Sequence, residues 1–423
     1  MTAAHRPPRH DDHRRRFLLH ALTCTSAAAL GPLLAACGSS GGGSANMPAG
    51  GLRSNLANMG PLGVEDANGI RLPAGFSSRI VARAGARMTG DSTGYAWHDA
   101  PDGGAVFAMP DGGWVYVSNS EVGNGGGGVG ALRFDRDARL VAQYPICSGT
   151  SRNCAGGPTP WGTWLTCEEV PDGRVWECVV EGGTPARVLP VLGRFNHEAV
   201  AVDPVNRHLY LTEDRPDGGF FRFVPSASDW PAGAARAALA DGRLQLMVVG
   251  ASGSNPPFPP SDGDISPAYA VSWVDWPAGG ARPAASPFNG GEGLWFHAGQ
   301  VYFSTKGDNR VWRYDTAAST LAVVYDDTMR GGGVLTGVDN LVGNAAGDIL
   351  VAEDGGDQQI VAITTGGTVI PLLQVTGHGG SELTGPAFSP DGTRLYFSSQ
   401  RGPGAGLGQG VTYEVSGPFV LPG

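Results

Sequence analysis

Carboxylates in this 423-residue chain fall at recurring places. Short apolar runs end in acids: Glu121 in SNSE, Glu168 and Glu169 in TCEE, Glu213 and Asp214 in TED, Glu353 and Asp354 in AED. A second group, Glu198, Glu292 and Glu382, opens other apolar runs. If these runs are strands of one repeated unit, acids at matching positions converge on one place. So many like charges cannot all ionise within a few ångströms unless cations lie among them. Oxygen ligands suit calcium, magnesium or manganese, and a thiolate such as Cys167 in TCEE adds affinity for a softer metal such as iron or zinc. Any one acid taken alone reads as a solvated turn residue; the shared register is what points to a metal site.

The elements that would position these acids are strands. Alternation of period two runs through VYVSN, LYLTE, VYFST, ILVAE and LYFSS, with the β-branched and aromatic content of strands. Pro-Asp-Gly occurs at 101–103, 110–112, 171–173, 216–218 and 390–392, and each occurrence reads as a hairpin turn. Six units share this grammar, at 103–121, 161–180, 197–224, 291–315, 339–363 and 385–402. Repeated antiparallel units of this size predict an all-β fold, a six-bladed β-propeller, whose innermost strands line a central channel. The other reading is a pair of β-sandwiches. Residues 226–288, with Asn255-Pro256-Pro257-Phe258-Pro259-Pro260, interrupt the spacing and read as an irregular Pro/Gly-rich insertion on one blade. Charged residues make up 16% of the chain, against a norm of about 25%, which argues against long solvated helices. Only Ala234 to Leu239 offers a turn or so of helix.

Residues 1–36 read as an export signal. Arg14, Arg15 and Arg16 precede an apolar run that ends in Leu34-Ala35-Ala36-Cys37, similar to a twin-arginine signal followed by a lipobox with Cys37 as the lipidated residue. The expected product is a periplasmic or cell-envelope lipoprotein, monomeric, meeting the membrane only through that anchor. Residues 37–69 are a flexible tether and lead-in, and 70–423 the propeller. A net charge of −10 and a single lysine, Lys306, exclude nucleic acid as a partner. Gly125 to Gly128 lacks the Gly-Lys-Ser/Thr ending of a phosphate loop and reads as structural. His98 and His197 read as ordinary hydrogen-bonding histidines, and Cys154 and Cys178 as either a disulfide or buried thiols.

Five long motifs then carry a resemblance: PTPWGTWLTCEE (158–169), GRFNHEAVAVDP (193–204), YLTEDRPDGGFFRFVP (210–225), LVAEDGG (350–356) and SELTGPAFSPDG (381–392). Together they resemble the PhoX-type alkaline phosphatase family, over nearly everything from about residue 70 onward. The resemblance implies a six-bladed propeller with iron and calcium at its centre that hydrolyses phosphomonoesters. By motif position it makes Cys167 the cysteine that bridges the irons and Glu292 an acidic ligand. Glu168, Glu198, Glu213, Glu353, Asp354 and Glu382 fall in the other matching motifs, and Glu121 joins them by repeat register. One departure stands out: the family's Arg-Pro-Glu-Gly is here Gly290-Gly291-Glu292-Gly293, so an arginine that would grip phosphate is missing. Lys306, returning to the same mouth if VYFST runs antiparallel to GLWF, is the substitute, and the catalytic set becomes Lys306, Cys167 and Glu292. Alternatively, Lys306 pairs with Asp308 or a channel carboxylate and only offsets repulsion. The function expected is an exported metal-dependent phosphohydrolase; the alternative is a non-catalytic, calcium-stabilised propeller that serves as an envelope binding module.

Overall fold

The computed structural model describes residues 53–89, 93–250, 258–265, 267–330 and 333–421. The proposed signal and Cys37 lie outside these residues. The described chain is all-β and propeller-like, its helical content limited to short 3-10 turns. No helix among the described residues is long and apolar enough to cross a membrane.

Antiparallel four-stranded sheets form from consecutive strands, beginning with Pro101–Ala108, Trp114–Ser120, Gly127–Phe134 and Leu140–Thr150. The first strands of successive units are Pro101–Ala108, Asn153–Pro158, His197–Asp203, Gly291–His297, Val338–Gly343 and Leu383–Phe388. Each touches the next, and the last returns to the first. Closure is reinforced at the outer edge, where the early strand Ser77–Arg83 pairs with the late strand Val411–Ser416. Arg53–Ser54 likewise pairs with Val420–Leu421. Leu56 is fully buried in the same apolar cluster as Phe419 and Leu373.

Apolar side chains collect in wedges between neighbouring sheets. One wedge joins Leu165 and Val175 of one sheet to Leu211 and Phe221 of the next, and another joins Leu350 and Ile360 to Phe397 and Tyr413. Both faces of a sheet are therefore buried, as throughout Trp114–Ser120, and burial on this scale is the main source of stability.

Two sequence expectations change. The 226–288 segment is not irregular throughout: Gly242–Val249 and Ala268–Asp275 extend one sheet, and the second pairs with Thr320–Asp326 of the next to give nine continuous strands. Pro101-Asp102-Gly103 is a strand start rather than a turn. Its glycine answers to packing, because a Cβ on Gly103 would lie 2.5 Å from Ala155 Cα in the adjacent inner strand.

Candidate metal centre

Each of the first strands carries a register break at the same place, between Pro101 and Gly104, Asn153 and Gly156, His197 and Val200, Gly291 and Leu294, and Val338 and Leu341. A bulge re-aims the side chain it contains. The residues so re-aimed are Asp102, Cys154, Glu198, Glu292 and Asp339. In the sixth strand the break lies between Thr384 and Ala387 and gives the equivalent place to Gly385, whose φ of +59° and contact with the Asp102 carbonyl exclude a side chain. Glu382 enters from three residues earlier, bridged to Asp354.

A second ring comes from the residue that follows each second strand: Glu121, Glu169, Asp214, Lys306, Asp354 and Gln400. Together the rings supply four overlapping groups whose ligand atoms lie within 4.8 Å of one another: Cys154 with Glu169 and Glu198; Glu198 with Glu292 and Asp339; Asp339 with Asp354 and Glu382; Asp102 with Glu121 and Glu382. Shared members make these one continuous cluster. Below it the channel is an apolar cavity of about 260 Å³ lined by Ala105, Trp164, Leu294 and Leu341.

Electrostatics at the cluster are unfavourable without cations. Burial, then Glu292, Asp339 and Glu169, holds the Glu198 carboxyl well above the usual range. Both its oxygens are buried with no hydrogen-bond partner, an arrangement that costs several kcal/mol on the ~1–3 kcal/mol scale of each unsatisfied group. Burial likewise raises Asp102, Glu292 and Glu382, and burial with Asp214 and Glu121 pushes Glu169 up to about 7. Burial and Asp102 raise the Cys154 thiol, which sits 3.6 Å from Asp102 Oδ2. An orphaned, fully buried carboxylate beside a thiol and further carboxylates is the donor set of a multinuclear cation site, so these residues fit metals.

Several assignments made from sequence move. Cys167 is buried in the apolar wedge with Leu165 and Val175, its pKa raised by burial and then Glu168, and it is in none of the ligand groups; the thiol at the cluster is Cys154. Glu168, Glu213 and Glu353 also stand apart. Each ends its strand, and side chains alternate faces, so Glu169 and Asp354, which follow two of them, join the ligand groups instead, while Asp214 does not. Glu168 accepts from the Ser151 N–H at 2.9 Å, Glu213 from the Gly219 N–H at 2.8 Å and from Arg282, and Glu353 from the Thr336 and Gln359 N–H groups at 2.8 and 2.9 Å. The structure does bring together Glu121, Glu198, Glu292, Asp354 and Glu382. Asp102, Cys154, Glu169 and Asp339 are the members that sequence reasoning left out of the ligand set. Aligning the repeats at the second residue of each first strand brings three of them, Asp102, Cys154 and Asp339, into register with Glu198 and Glu292.

Gly291 pairs with Thr305, which returns Lys306 to the mouth beside Glu292. Its Nζ lies 3.0 Å from Glu292, 3.3 Å from Asp354 and 3.7 Å from Asp339. Burial alone would lower its pKa, but the three carboxylates override this and raise it. Lys306 is thus a charge compensator, held by acids, rather than a free phosphate grip. His98 hydrogen-bonds Tyr95 and Ser118, and His197 the Gly193 carbonyl; burial lowers both to about 3, and neither joins the cluster. All four described cysteines are free. Cys178 adjoins Cys147 rather than Cys154, both in one apolar wedge.

The family model described as alkaline phosphatase PhoX matches residues 126–187 and 181–307. Among solved structures, the chain is similar to Pseudomonas fluorescens PhoX in complex with vanadate, a transition state analogue, at 18% identity and a TM-score of 0.68, covering 85% of this chain and 97% of that one. It is also similar, at 13% identity and a TM-score of 0.45, to a gluconolactonase of Xanthomonas campestris, covering 88% of this chain and 99% of that one. No curated protein matches the sequence.

Proposed function

We infer from two observations, the match of residues 126–187 and 181–307 to the alkaline phosphatase PhoX family model and a channel mouth where the buried Glu198 carboxylate has no hydrogen-bond partner among further carboxylates, that the protein is a metal-dependent phosphohydrolase acting on phosphomonoesters. The observation that carries the reading is Glu198, whose two buried oxygens have no partner other than a cation to meet. Six blades are the count that the repeats and the cyclic contact of the first strands support, two of them sharing the nine-stranded sheet. Export by the twin-arginine route and lipidation at Cys37 belong to the same proposal.

Iron and calcium are the metals the family implies, and the donors sort between them by softness. Cys154 with Glu169 and Glu198 suits iron, while the groups made only of carboxylates suit calcium. Bound there, the metals supply Lewis acidity toward phosphoryl oxygens and an activated oxygen nucleophile. The chain's own part is to fix these donors on bulged strand starts, so that little reorganisation accompanies the reaction. Lys306 offsets the repulsion among Glu292, Asp339 and Asp354. The apolar walls below the cluster keep bulk water from its inner face.

Hydrolysis of an aryl phosphate by the purified protein, with iron and calcium measured by elemental analysis, tests the reading. Activity that falls at least about a hundredfold on chelation and returns with metal is expected. A protein that carries its full metal complement and hydrolyses nothing would instead be the binding module.

A further inference from the structure

We propose that Arg152 and Arg401 form a two-arginine clamp for the substrate's phosphate at the channel mouth. The proposal rests on the phosphohydrolase reading and supplies the arginine that the Gly290-Gly291-Glu292-Gly293 segment lacks. Both guanidiniums approach Glu121. Arg152 Nη1 lies 3.5 Å from Glu121 Oε1 and 3.7 Å from Glu169 Oε2. Arg401 Nη2 lies 3.7 Å from Glu121 Oε2 and 3.8 Å from Glu382 Oε1. These separations exceed the ~2.7–2.9 Å of an engaged charge-assisted hydrogen bond. Neither side chain has such a bond among the described residues, and each is about half exposed, at 53% and 44%.

Their backbones, by contrast, are fixed. Arg152 has a φ of +47°, its N–H donates to the Val122 carbonyl at 2.9 Å, and its carbonyl accepts from the Glu169 N–H at 2.8 Å. The Arg401 N–H donates to Ser381 Oγ at 2.9 Å. Anchored stems with unengaged forks are what a bidentate phosphate contact requires. Other cations nearby are committed elsewhere: Lys306 to three carboxylates, Arg282 to Glu213 and Arg215 to Asp217. Among the described arginines, these two alone pair with members of the cluster. Once cations share the charge of Glu121, Glu169 and Glu382, those acids hold the arginines less strongly, and the forks are free to meet an anion. The geometry therefore seats the phosphate over the Asp102, Glu121 and Glu382 side of the mouth.

The test is calorimetric binding of inorganic phosphate and of vanadate to the metal-loaded full chain, with metal content measured in parallel. Arg152→Ala and Arg401→Ala should each weaken binding about tenfold, and the pair about a hundredfold, on the scale of charged hydrogen bonds, with iron and calcium unchanged. Arg152→Lys with Arg401→Lys keeps the charge and loses the fork; it should retain metal and still bind several-fold more weakly. Wild-type affinity in either double variant overturns the clamp alone. Loss of metal from the lysine pair also overturns it, since the arginines would then be part of the metal site's framework. A fully metallated wild type that binds neither anion overturns the phosphohydrolase reading and the clamp with it.

Discussion

At the scale of single residues, the difference between a member of the acidic cluster and a bystander is one peptide bond. Glu168 and Glu169 are adjacent, yet one accepts a backbone N–H and the other faces Cys154 and Glu198. The same division separates Glu353 from Asp354. Cys154 and Cys167 pose the question in its sharpest form, because both are thiols on neighbouring strands of one sheet. A thiol among carboxylates ionises only when a cation compensates it, whereas one among leucines has no reason to ionise. Cys154→Ser should therefore remove most of the bound iron and lower activity at least about a hundredfold if the metal supplies the nucleophile. Cys167→Ala should keep its iron and lose about 1 kcal/mol of stability, the size of a small buried truncation. Elemental analysis of the two variants decides; iron lost from Cys167→Ala and kept in Cys154→Ser would return the ligand role to Cys167.

At the scale of elements, the strands that announce themselves in sequence are the second strands, such as LYLTE and VYFST, with their alternating apolar residues. The innermost strands are less legible, and the reason is packing. Near the axis neighbouring backbones approach so closely that Asn153–Pro158 is mostly small residues, NCAGGP, with no alternation to read; a Cβ on Gly157 would fall on the Val200 carbonyl oxygen. A repeat begun at Trp161 therefore omits the strand that carries Cys154, and Asp102 hides in a Pro-Asp-Gly that looks like a turn. The two strands inside 226–288 were obscured by the Pro and Gly around them. What remained legible was the repeat period and the acids that close the second strands. The close approach gives its own prediction. Gly103→Val should clash with backbone that cannot move away, at a cost of about 3 kcal/mol or more, and should displace Cys154 and release metal. Gly60→Ala, with nothing within 4 Å of its new Cβ, should change stability by less than about 0.5 kcal/mol. Thermal melting and metal content of the two proteins check this, and a Gly103→Val protein as stable and as metallated as wild type would contradict the packing argument.

At the scale of the whole molecule, the metal-dependent reading proposed above ties folding to cation binding, because the strands gather their acids at one mouth. Without cations, Glu169 holds its proton up to about 7, raised by burial and then Asp214 and Glu121 from an ordinary 4.5. Glu198, Asp102, Glu292 and Glu382 are also raised, each chiefly by burial. A carboxyl whose pKa is higher folded than unfolded binds more protons in the folded chain. Stability contributed by that proton is present below the unfolded value and is lost as pH rises through the folded one. The chelated protein should therefore melt progressively lower from about pH 5 to pH 8, with Glu169 contributing mainly up to about 7 and the more strongly raised acids beyond it. Metal binding reverses the sign, because ligands must release protons to bind and do so more readily as pH rises. Scanning calorimetry of chelated and metal-loaded protein across this range should show a gap in melting temperature that widens with pH. Parallel curves would mean that the acids ionise freely without cations, and the cluster would then be a solvated acidic mouth rather than a metal centre on which the ring depends.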